Sequence, residues 1–196
     1  KDSTNIGAVS IYRGRIMNIE ENKGFTVESF SQLSGFIWVY SNTPKTFNIN
    51  YDTRILGNDG LVSHRDFTPY GEESFVGSVV YIVADGIGAK VISTAPFGIY
   101  NAIGDLYEIN GGTVGEDGTV IVQPNELKLR NAMIFDTSQY LWTISNDMTV
   151  NLLNNSIILK NNKMIKPSEL KKGDRLRIIK SESTETGDAY IIIVEN

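Results

Sequence analysis

The chain has 196 residues, a formal net charge of −5, 41% hydrophobic and 21% charged residues, which allows one large soluble-type domain or two of about 100 residues each. Lys and Arg are scattered, and the one dense basic cluster, Lys166, Lys171, Lys172, Arg175, Arg177 and Lys180, is interleaved with acids, so nucleic-acid binding is not expected. The absence of cysteine excludes disulfides, thiolate nucleophiles and Cys-zinc sites, and no run approaches the 18 apolar residues of a membrane-spanning helix.

The opening Lys-Asp-Ser-Thr-Asn reads as a mature or trimmed start, with no signal peptide. Short alternating apolar runs then follow one another. In chain order they are AVSIYRGRIMNI, GFTVESF, GFIWVY, TFNI, TRIL, SVVYIV and AKVIST in the first half. The second half continues with AIGDLYEI, GTVIV, AMIFD, LWTI, TVNLL, SIILK, DRLRII and AYIIIV. Their Val, Ile, Tyr, Phe and Thr content and period of two predict strands. Asp59-Gly60, Asp85-Gly86, Asp117-Gly118 and Asn161-Asn162 stand where hairpins should turn. Helical periodicity is nearly absent. Single turns are predicted at Ser63–Phe67 and Pro167–Leu170, the second with Pro near its first position and Glu169 in the first turn.

Phe47–Phe67 aligns without a gap against Val150–Leu170. Thr53 meets Ser156, Ile55-Leu56 meets Ile158-Leu159, and Phe67 meets Leu170. Upstream, Trp38 with Ser41-Asn42 matches Trp142 with Ser145-Asn146. Gly14–Ile19 matches Gly104–Ile109, Val76–Val83 matches Lys172–Ile179, and Ala89–Thr94 matches Ala189–Val194. Identity is low, but the apolar pattern and the order coincide. The economical reading is a domain duplication with a period near 90 residues, broken at APFGIY by Pro96 and Gly98. The expected architecture is all-β: two tandem small barrels of OB or SH3 size, residues 1–97 and 98–196, each with one short helical turn whose last apolar residue plugs one end. A β-sandwich is the alternative.

The only histidine, His64, stands opposite Pro167 of the second copy, so nothing in the repeat requires imidazole there, and a structural role is expected. No GxSxG elbow accompanies it. The carboxylate doublets Glu20-Glu21 and Glu72-Glu73 point to opposite faces of a strand and make poor acid–base pairs, and Asp105 with Glu108 is read as solvated charge. GNDG and GEDG lack the oxygen spacing of a calcium loop and read as hairpin turns. GGTVGEDG lacks the Lys and the helix of a phosphate loop. No metal and no cofactor are expected. Trp38 and Trp142 fall at equivalent places and are read first as packing elements. If the chain binds a ligand, the candidate residues are Trp38, Tyr40, Tyr100, Tyr140 and Trp142, with Tyr70 and Tyr107 as further candidates for a groove between the domains.

The second copy, NNSIILKNNKMIKPSELKKGDRLRIIK with its closing GDAYIIIVEN, resembles the β-rich repeat modules of exported clostridial-type, Gram-positive surface proteins, chains that often carry S-layer homology domains elsewhere. The shared phrase is a strand, a hairpin NNK, then Pro-Ser-Glu-Leu-Lys-Lys-Gly-Asp and a closing strand. The first copy departs from it, with Val76-Gly77-Ser78 in place of Lys-Gly-Asp and the insert TPYGEES. The resemblance implies an extracellular or cell-surface location and supplies no catalytic residues. It makes cell-wall glycan or another surface protein the partner to expect. The chain is therefore expected to be a non-catalytic structural or interaction module of a bacterial surface protein. The alternative is a ligand-binding module for glycan or peptide.

Overall fold

The computed structural model describes residues 9–34, 37–57, 60–94, 100–136, 138–161 and 163–195. These residues form β-strands and two single-turn 3₁₀ helices, so the architecture is all-β. Among the described residues no helix is long and apolar enough to cross a membrane. The chain divides into two compact units, Lys1–Ala95 and Pro96–Asn196. Apart from Tyr100, the expected break at APFGIY lies outside the described residues, as do Asp59 and Asn162 of the expected hairpins.

In the first unit the strands are β1 (Val9–Glu20), β2 (Gly24–Ser34), β3 (Ile37–Ser41), β4 (Lys45–Asn48), β5 (Arg54–Gly57), β6 (Gly60–Val62), β7 (Val79–Asp85) and β8 (Gly88–Ser93), with a 3₁₀ turn at His64–Asp66. β1 pairs antiparallel with β2 and β7, and β7 with β8. β5 runs parallel to β8, while β4 pairs with β2 and touches β8 at Asn48 and Gly88. The core gathers one face of these strands: Ile16, Phe25, Val27, Phe47, Ile55 and Ile82, with Phe67 closing it. β7 is buried on both faces, which is why its sequence is a continuous apolar run rather than an alternation.

The second unit contains β9 (Tyr100–Asn110), β10 (Thr113–Val114), β11 (Val120–Val122), β12 (Glu126–Asp136), β13 (Leu141–Lys160), β14 (Lys163–Met164), β15 (Arg175–Lys180) and β16 (Asp188–Val194), with a 3₁₀ turn at Pro167–Glu169. The pairings are β9 with β12 and β15, β15 with β16, β16 parallel to β13, and β13 with β12. Leu106, Leu127, Leu129, Val150, Ile158 and Ile178 lie in its core, and Leu170 lies there as Phe67 does in the first unit.

The structure corrects one expectation of element count. LWTI, TVNLL and SIILK form a single strand, β13. The polar residues between them do not turn the chain back. Asn146 takes a left-handed φ of 64° at the point where the β12–β13 register slips, so the strand bulges and continues. A second irregularity falls between Leu152 and Ile157 against β16. β12 also begins earlier than AMIFD, at Glu126.

Two local devices hold the parallel strands. Thr53 Oγ1 donates to the Ala89 carbonyl at 2.7 Å and accepts from the Asn50 amide at 3.0 Å. Ser156 Oγ donates to the Ala189 carbonyl at 2.6 Å and accepts from the Leu153 amide at 2.8 Å. Both hydroxyl residues are buried. The turns before β7 and β15 each require a glycine: Gly77 has φ 89° and Gly173 φ 97°. The Gly77 amide donates to the Ile16 carbonyl, and the Gly173 amide to the Leu106 carbonyl.

Candidate functional site

The five aromatic candidates divide by environment. Trp38, half-buried on β3, packs against Tyr81 with centroids 5.8 Å apart and carries the Arg13 guanidinium 4.8 Å from its ring centre. Its indole nitrogen is buried without a hydrogen-bond partner among the described residues. Trp142, half-buried on β13, makes an edge-to-face contact with Phe135 at 5.2 Å. Neither tryptophan belongs to the central core cluster of its unit. Tyr40 and Tyr140 are exposed, at 65% and 70%. Tyr140 sits in the β12–β13 turn with φ 56°. Tyr70 is exposed, and Tyr107 lies under the Arg130 guanidinium at 4.1 Å.

Two candidates line sizeable concavities: Tyr70 a polar, open one of about 710 Å³ in the first unit, and Tyr100 a more apolar cleft in the second. A concavity of about 450 Å³ in the second unit is bounded by Tyr100, by Ile134–Asp136 of β12, by Thr143–Ser145 of β13 and by Ser183–Glu185 of the β15–β16 connection. Ile134, Phe135 and Ile144 add apolar residues to its lining, and Ser138, Thr143, Ser145, Ser183 and Thr184 add hydroxyl residues. Asp136 has its carboxylate engaged by the Ser138 hydroxyl and by the Ser138 and Gln139 amides, which hold its pKa below the ordinary value. Tyr40 lies on a smaller concavity of about 300 Å³ in the first unit, with Phe30, Gln32, Ser34, Val39 and Ser41.

Lys180 was expected only as one of a basic cluster interleaved with acids, not as a buried side chain. It is fully buried at the end of β15, opposite Tyr100 in the ladder. Its ammonium donates to the Thr184 carbonyl, on the cleft wall. Burial lowers its pKa, and the charge of Glu182 opposes that shift in part. In the repeat alignment this position follows Ile179 as Ala84 follows Val83, and Ala84 is a core residue. A lysine where the other half carries alanine was therefore the available signal.

His64 Nε2 donates to the Thr53 carbonyl at 2.6 Å, tying the 3₁₀ turn to the chain entering β5. Asp105 is bonded by Asn131 and by Arg175 at 2.9 Å, which lower its pKa in that order. Glu108 is paired with Lys128, and Glu20 with Lys23. Among the described residues no three His, Asp or Glu side chains come together as a metal-holding group. Glu72 and Glu73 border a broad open concavity with Arg65 and Tyr70. No protein-family model matches the chain, and no curated protein matches it.

Proposed function

We propose that the chain is a non-catalytic structural or interaction module of an exported or cell-surface bacterial protein, made of two copies of one small closed barrel. The observation that carries the duplication is the register. Ile55 faces Ile92 and Ile158 faces Ile192 in the two parallel pairs, and these are the residues that the repeat alignment matches. The Thr53 and Ser156 bonds to Ala89 and Ala189, and the Gly77 and Gly173 turns, agree with it. Closure is supported by pairings that run in a cycle: β2–β1–β7–β8–β4 and back to β2 in one unit, β12–β9–β15–β16–β13 and back to β12 in the other. The strands of each ring are paired on both sides, and the edges left in those sheets among the described residues are the short β3, β6 and β14, which suits a chain that separates or presents other domains.

Two features favour rigidity as the mechanism. Trp38 and Trp142 are spent on packing against Tyr81 and Phe135, and His64 is spent on a backbone carbonyl. The location rests on the resemblance of the second copy to surface-protein repeats. Force spectroscopy on the chain held between two handles tests the reading. Two separate unfolding events, each lengthening the chain by roughly 300 Å, are expected of two load-bearing modules. A single event, or extension without a resolvable peak, would remove the spacer mechanism.

A further inference from the structure

We propose that the cleft beside Tyr100 is a binding site for a neutral carbohydrate, and that the β15–β16 connection is the part of the second unit that builds it. A concavity lies at corresponding places in both units. In the first it lies inside the β2–β3 ladder one step from the Leu33–Trp38 pair, at Gln32 and Val39. In the second it lies inside the β12–β13 ladder one step from the Phe135–Trp142 pair, at Ile134 and Thr143.

The units differ in what closes the third side. β7 and β8 are joined by two residues, Gly86 and Ile87. β15 and β16 are joined by residues 181–187. That longer connection is pinned at four points. Lys180 holds the Thr184 carbonyl, and Ser181 Oγ accepts from the Asp188 amide at 2.9 Å. The Thr149 and Asn151 amides of β13 donate to the Glu185 and Gly187 carbonyls, each at 2.9 Å. Joining neighbouring antiparallel strands does not demand this, as the short β7–β8 turn shows. Burying an ammonium at a core position is unfavourable in itself. Of the two concavities at these matching ladder positions, loop and anchor accompany the larger, about 450 against 300 Å³.

The lining selects the ligand class. A volume of about 450 Å³ lies within the range of small-molecule sites, roughly 300–1,000 Å³. No basic side chain lines the cleft, which disfavours anions. Among the described residues the side chains of Tyr100, Thr143, Ser183 and Glu185 have no hydrogen-bond partner and remain available. An aromatic ring beside hydroxyls and a single disengaged carboxylate complements the C–H face and hydroxyl edge of a pyranose.

The test is titration of the ¹⁵N-labelled chain with glucose, N-acetylglucosamine, cellobiose and chitobiose, read as amide shifts. Saturable shifts confined to Tyr100, Ile134–Asp136, Thr143–Ser145 and Ser183–Glu185 are expected for at least one sugar. Tyr100→Ala and Glu185→Gln should each weaken that binding about tenfold or more, equivalent to about 1.4 kcal/mol. A variant carrying Lys180→Ala, with residues 181–187 shortened to the Gly86-Ile87 turn, should lose it. If that variant does not fold, the two point variants decide alone. No saturable shift with any of the four sugars overturns the proposal. So do shifts unaffected by Tyr100→Ala and Glu185→Gln, or saturation by a lysine-rich peptide with none by the sugars.

Discussion

Thr53 and Ser156 each satisfy one buried carbonyl and one amide with a single hydroxyl. Thr53→Val and Ser156→Ala remove both bonds and leave the backbone partners orphaned. Each variant is expected to lose about 1–3 kcal/mol of stability, measured by urea denaturation. Lys180 behaves differently. Its native pKa lies below its ordinary value of 10.5, so between those two values the unfolded chain binds more protons than the folded one. Stability therefore rises with pH across that window, and the full cost of the buried charge is present below it. Lys180→Met should abolish this alkaline gain in denaturation curves recorded from neutral pH upward. At neutral pH the lost bond to Thr184 and the relieved desolvation oppose one another. Thr53 and Ser156 stand opposite each other when the two segments are aligned, but were not legible as latches, because the carbonyls they hold are 36 and 33 residues away.

Among the elements, the 3₁₀ turns at His64–Asp66 and Pro167–Glu169 fall within the expected single turns Ser63–Phe67 and Pro167–Leu170, the second signalled by Pro167 with Glu169. Each delivers one apolar side chain to the core immediately after its last residue, Phe67 at 1% exposure and Leu170 at 4%. Phe67→Ala is expected to cost about 3–5 kcal/mol and Leu170→Ala about 2–5 kcal/mol in chemical denaturation. An effect below 1 kcal/mol at either site would show that the turn does not close its core. β13 was not legible as one strand. Ser145, Asn146 and Asp147 carry turn composition, but the neighbouring strand offers enough pairing to keep the chain extended through a bulge. The tertiary ladder overrides the local preference there.

For the whole molecule, alternation of apolar residues and the shortage of helical periodicity determined the all-β class, since a period of two places one face of each strand inward whatever its neighbours are. The apolar runs that become most of the strands were also present in the sequence, and the proposed correspondence of the two halves starts from their similar apolar patterns. The cleft beside Tyr100 was decided by tertiary structure. Its lining comes from Tyr100, from Ile134–Asp136 and Ser138, from Thr143–Ser145 and from Ser183–Glu185, segments that no spacing along the chain relates. The aromatic candidates show the same division. Composition marks Trp38, Tyr40, Tyr100, Tyr140 and Trp142 alike, yet burial against Tyr81 and Phe135 or exposure to solvent depends on the strand opposite. The sequence by itself determined which residues are apolar and which runs alternate. Only the fold decided which of those residues share a surface, because side-chain contact is a property of strand pairing across long separations.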